Sequence, residues 1–124
     1  MREIVLAYNF SDERLSRLRR ALLPLKFRIK TVSPEEFSKP VGLLAGFKEV
    51  ELDPDDDCPD GFDEEMLIMG GLTNGRIDAL INALYKKGVG RIDLKAVLTP
   101  SNITWSSNRV YTQVKADHER MKGK

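Results

Sequence analysis

Three residue types are nearly missing from this chain of 124 residues, which has one cysteine, one histidine and one tryptophan. A lone cysteine, Cys58, excludes an internal disulfide and fits a reducing cytoplasm. His118 has neither a cysteine nor a glycine-flanked serine arranged with it, so thiol or serine triad chemistry lacks its parts. No apolar run approaches the roughly 18 residues that a membrane span needs. The opening Met1-Arg2-Glu3-Ile4-Val5-Leu6 holds neither a long apolar stretch nor a cleavage site, so no secretion signal is expected. The formal net charge is only +1. Bulk charge therefore selects no partner, and neither a membrane nor nucleic acid is expected.

What is present is the composition of a folded domain, 41% hydrophobic and 31% charged, at a mean hydropathy of -0.35. The length suits a single domain over 1–124 and leaves no room for two cores. The small total charge hides three blocks. Residues 1–34 carry eight basic and three acidic side chains, residues 35–65 two and twelve, residues 66–124 ten and four, giving +5, -10 and +6. The acidic block peaks at about 49–65, where Pro54, Pro59 and Gly61 stand among like charges, so an acidic surface loop is expected there. No repeat of solenoid type is visible.

Ile4-Val5-Leu6-Ala7-Tyr8 is a β-rich run ending at a turn signal, Asn9-Phe10-Ser11. Ser11 can cap a helix whose Leu15, Leu18 and Leu22 share a stripe and which Pro24 stops. Phe27, Ile29 and Val32 alternate with charged residues, as on an edge strand. Ser33-Pro34-Glu35-Glu36 is a capping box that opens a short helix, and residues 40–46 form a second. Met66-Leu67-Ile68-Met69 reads as a buried strand. Thr73 or Asn74 caps the next helix, with Ile77, Leu80, Ile81 and Leu84 on one face. Residues 92–98 make a fourth strand, and Lys95 marks it as an edge facing water. Thr104 or Ser106 caps a last helix in which Val110, Tyr111, Val114 and Met121 share a face. Two β-helix-β units, 4–32 and 66–98, argue for an α/β domain of three layers, α/β/α, on a small four-stranded, mostly parallel sheet of order 2-1-3-4. The alternative is a ferredoxin-like α+β sheet. Helices of a dozen residues between paired strands favour the parallel version.

Asp53, Asp55, Asp57 and Glu64 fall at positions 1, 3, 5 and 12 of a calcium-loop pattern, whose clustered carboxylates suit a hard cation. Cys58 stands where the sharp turn needs glycine, so a solvated acidic loop is the better reading and no metal is expected. In a parallel sheet the loops after the strands share one edge, where open α/β sheets bind ligands. Asn9, Gly71, Thr73, Asn74, Thr99, Ser101, Asn102 and Trp105 are the candidate ligand-binding residues there. Each also has a plain structural use: glycine for positive φ, Thr73 as a cap, Asn102 in a turn, Trp105 as an anchor against the sheet. A basic run of Arg14, Arg17, Arg19 and Arg20 with Lys26, Arg28 and Lys30 could meet phosphate or an acidic protein, but reads first as a solvated face.

Phe62-Asp63-Glu64-Glu65-Met66-Leu67-Ile68-Met69-Gly70, Arg76-Ile77-Asp78-Ala79-Leu80, Leu94-Lys95-Ala96-Val97-Leu98-Thr99-Pro100-Ser101-Asn102 and Trp105 together resemble a small bacterial family known only as a domain of unknown function, number three-seven-eight-three. Tyr8-Asn9-Phe10 and Pro40-Val41-Gly42-Leu43-Leu44-Ala45-Gly46 extend the resemblance into the first half. It implies a bacterial cytoplasmic protein and supplies no activity, ligand or catalytic residue. The residues themselves leave two expectations. The first is a non-enzymatic module that binds another protein or a second copy of itself as a homodimer, without cofactor or catalytic residue. The second is a small-molecule or anion site in the crevice at the strands' carboxyl ends.

Overall fold

Two strands, Ile4–Tyr8 (β1) and Met66–Gly70 (β3), are buried at every position, as strands covered on both faces must be. The computed structural model describes residues 3–57 and 61–122; Cys58 and Pro59 of the calcium-loop reading lie outside them. Arg28–Val32 (β2) and Leu94–Val97 (β4) flank the buried pair in the order β2-β1-β3-β4. β2 runs parallel to β1 and β4 parallel to β3, while β1 and β3 are antiparallel. The mostly parallel α/β sheet expected from the sequence is present, with one antiparallel joint at its centre.

Asp12–Leu22 (α1) and Asn74–Lys86 (α3) are capped by Ser11 and Thr73, whose side chains accept from the backbone N–H of Arg14 and Arg76. Val41–Leu44 (α2) and Ser107–Lys122 (α4) complete the helices. Leu18, Leu22, Leu80 and Leu84 of α1 and α3 pack on Val5, Ala7, Leu67 and Met69. Phe37, Val41, Leu44 and Val110 pack on Ile4, Leu6, Tyr8, Met66 and Ile68 from the other side. Strand side chains alternate between these two cores because their period is two, and the three layers α/β/α follow.

The two βαβ units repeat each other. Glu3, Ser11, Arg14, Leu18, Ala21 and Leu22 stand sixty-two positions before Glu65, Thr73, Arg76, Leu80, Ala83 and Leu84. The same offset relates Asn9 to Gly71 and Lys26 to Gly88, all four at positive φ. The antiparallel joint pairs Leu6 with Ile68 at its middle, so a pseudo-two-fold axis passes there. Such an axis puts α1 and α3 on one face of the sheet, where they are found. The repeat is a pair of βαβ units and not a solenoid.

Candidate functional site

The antiparallel joint decides which candidate residues can meet. Tyr8 pairs with Met66 and Ile4 with Gly70, so the end of β1 lies at the start of β3. Asn9 is therefore at the opposite edge of the sheet from Gly71, Thr73, Asn74, Thr99, Ser101 and Asn102. The single shared carboxyl edge expected from an all-parallel reading is divided in two. Its physical cause is the long connection 33–65, which returns the chain so that β3 enters against β1.

At the edge of β3 and β4, the polar groups serve their own turns. The Asn102 side chain accepts from Thr99 N–H and donates to the Val97 carbonyl, and the Thr99 hydroxyl accepts from Asn102 N–H. Thr73 is used as the α3 cap. Gly71 supplies a φ of 78°. Well-formed surface grooves lie elsewhere: along β2, between α1 and α3, and beside His118.

At the other edge, Asn9 Nδ2 donates to the carbonyls of Phe62 and Glu64, both at 3.0 Å. The Glu64 carboxylate accepts from the Tyr111 hydroxyl at 2.7 Å and from Lys115. The Tyr111 bond first, and then Lys115, hold its carboxyl below the usual carboxylate range. Phe62 stacks between Phe37 and Tyr111, with centroids 4.5 and 4.2 Å away. Beneath them the buried Tyr8 hydroxyl is 2.7 Å from Ser107 Oγ. Burial pushes the Tyr8 phenol up from its ordinary range.

The calcium-pattern carboxylates diverge. Asp53 accepts from Arg109 at 2.9 Å, and the Asp55 amide together with Arg109 holds its carboxyl low. Glu64 is taken by Tyr111 and Lys115. Arg109 and Lys115 lie about 9 Å apart along α4 at 1.5 Å per residue, too far to bring both acids round one ion. Among the described residues no group of three or more metal-ligating side chains gathers. Asp56 instead accepts from the Ser106 amide and hydroxyl at 2.7 and 3.0 Å, and Ser106 Oγ in turn accepts from Arg109 N–H. The acidic segment thus docks on the positive end of α4. Trp105 precedes α4; it is half-buried, packs on the α4 side of the core and faces the Arg109 guanidinium at 4.2 Å. Ser106 as a cap was legible, whereas the basic and phenolic partners on α4 were not singled out from sequence.

Several basic residues are also committed. Arg14 grips Glu65 with two nitrogens and the Val89 carbonyl with a third. Arg17 pairs with Glu13. Lys95 folds back onto the Ile92 carbonyl instead of facing water, and burial lowers its pKa. Arg19 and Arg28 make no ion pair among the described residues. Both line the groove along the outer side of β2, with Lys30 and the backbone turn at Leu43–Gly46.

No helix of the described residues is long and apolar enough to cross a membrane. No curated protein matches the chain, and no solved structure does. The first βαβ unit lies outside the residues that a family model matches. Residues 65–121, which hold the second βαβ unit and nearly all of α4, match the family model described as domain of unknown function DUF3783.

Proposed function

We propose that the chain is a non-enzymatic protein-interaction module that docks its partner along the outer edge of β2. One observation carries this reading: β2 ends the sheet, and the groove beside it is lined by Arg19, Arg28 and Lys30. An edge strand offers a row of unpaired N–H and C=O groups, and an incoming extended segment can pair with them. Around that ladder Arg19 and Arg28 favour an acidic segment, while Lys30 is held by Glu36 and the Leu44 carbonyl. The crevice alternative has less support, because Asn9 sits at the far edge and the side chains of Thr99 and Asn102 are engaged in their own turn. The proposal includes a bacterial cytoplasmic setting, which rests on the family resemblance and on the single cysteine.

A photo-crosslinking residue at Thr31 tests the reading in the native cell. Crosslinks to protein from Thr31, lost on Arg28→Glu and kept when Thr99 and Asn102 become alanine, are expected. Crosslinks confined to position 101, or a small molecule retained only while Thr99 and Asn102 are intact, overturn it.

A further inference from the structure

Building on the interaction-module reading, we propose that the segment seated on the β2 edge belongs to a second copy of this chain, and that a two-fold axis lays residues 49–57 of each copy along the basic edge of the other.

The face has the order that such an axis requires. An isologous contact brings one patch against itself, so a face that is basic at one end, apolar in the middle and acidic at the other is complementary to its own image. Arg19 and Arg28 form the basic end. Leu43, Phe47 and Leu52 are 39%, 38% and 39% exposed and form the middle. Glu49, Glu51 and Asp55 are exposed and make no ion pair among the described residues, whereas Asp53 is paired with Arg109 and Asp56 is held by Ser106.

Hydrogen bonds hold these parts on one surface. Leu43 and Gly46 border the groove. Phe47 N–H bonds to the Gly42 carbonyl, Gly42 N–H to Ile103 and Asp53 N–H to Thr104. Val50 packs on Gly42 as well. The groove's rim and the acidic segment are therefore tied to the same short stretch, residues 103–104. Direct pairing of β2 with its own copy is disfavoured, because Arg28 and Lys30 would meet like charges. The acidic segment is the complement available on the same molecule. Two-fold symmetry also uses the contact twice, which helps a face of modest size.

Sedimentation of the full chain decides the matter. A dimer is expected at about 500 micromolar in about 50 mM salt, with affinity falling at least about tenfold at about 500 mM, since exposed charges are screened. Arg19→Glu/Arg28→Glu alone and Glu49→Arg/Glu51→Arg alone should be folded by circular dichroism and monomeric. Their equimolar mixture should form a heterodimer, because each basic end then meets an acidic partner. A wild-type monomer under these conditions overturns the inference, as does a dimer that neither charge-reversed variant weakens. If the pure chain is monomeric while Thr31 still crosslinks to protein in the cell, the second copy falls and the interaction module stands. A monomer without such crosslinks removes both.

Discussion

Arg14 and Arg76 are each other's counterpart across the pseudo-two-fold, and each grips the glutamate that precedes the other unit's first strand. Arg76 holds Glu3 with two nitrogens at 2.8 Å and donates to the Leu25 carbonyl, as Arg14 holds Glu65 and Val89. The paired fork fits the planar guanidinium and not an ammonium. Arg14→Ala should cost about 1–2 kcal/mol, more than an ordinary surface pair, and Arg76→Ala should destabilise in the same direction. Lysine at either place should recover little of that, while Arg17→Ala should stay within about 0.5 kcal/mol. Urea unfolding of the five variants gives the comparison.

Glu3 and Glu64 set an acid limit. Arg76 holds the Glu3 carboxyl below its ordinary value of 4.5, and Tyr111 with Lys115 does so for Glu64. A depressed folded pKa gives stability that is complete above the unfolded value and lost as pH falls through the folded one. The urea midpoint should hold steady above about pH 5 and drop below it. Glu3→Gln/Glu64→Gln should be less stable at neutral pH and show a flatter acid limb. An acid limb as steep as the wild type's would mean that other carboxylates set it.

Trp105 is an anchor rather than a stacking platform. Its carbonyl accepts from Val41 N–H at 2.8 Å, and its ring packs on the core beneath Arg109. Because it is half-buried, Trp105→Ala should cost about 2–3 kcal/mol, short of the 3–5 typical of a fully buried ring. A loss within about 1 kcal/mol, as for most surface changes, would free the ring for a ligand.

Tyr8 and Ser107 should behave as one unit. Tyr8→Phe and Ser107→Ala each leave a buried partner unsatisfied, at about 1–3 kcal/mol. Together they should cost less than the sum, with a coupling of about 0.5 kcal/mol or more. Simple additivity in a double-mutant cycle would show that the bond carries nothing.

Gly42 allows α2 to lie against residues 103–105. A Cβ there would stand 2.7 Å from the Ile103 carbonyl oxygen, a backbone atom that cannot step aside. Gly42→Ala should therefore destabilise by about 1–3 kcal/mol despite its better helix propensity. Thermal unfolding of this variant reads the sign directly.

Much of this fold was legible. Unbroken apolar runs marked β1 and β3, leucine stripes marked α1 and α3, and Ser11, Thr73 and Ser106 marked where helices start. Strand direction was not, because periodicity carries no arrow and the connection 33–65 is long enough to return either way. That one ambiguity moved Asn9 away from the other candidate residues. The repeat was hidden for another reason: its two copies keep chemistry more than identity. Ser11 becomes Thr73, Leu15 becomes Ile77 and Asn9 becomes Gly71, so the cap, the stripe and the positive φ persist while the letters change. The acid-binding residues of α4 were unreadable because their partners lie about fifty positions away.

The central antiparallel joint also imposes a timetable on the nascent chain. β1, α1 and β2 leave the ribosome before the strand that covers the other side of β1 has been made. At about 5–20 residues per second, Glu65 and β3 follow about 2–8 seconds later. For that interval Ile4–Tyr8 presents an uncovered apolar edge, and Arg14 has no carboxylate to grip. An open apolar edge invites pairing with neighbouring chains, and the second βαβ unit closes it only once the acidic stretch has been made.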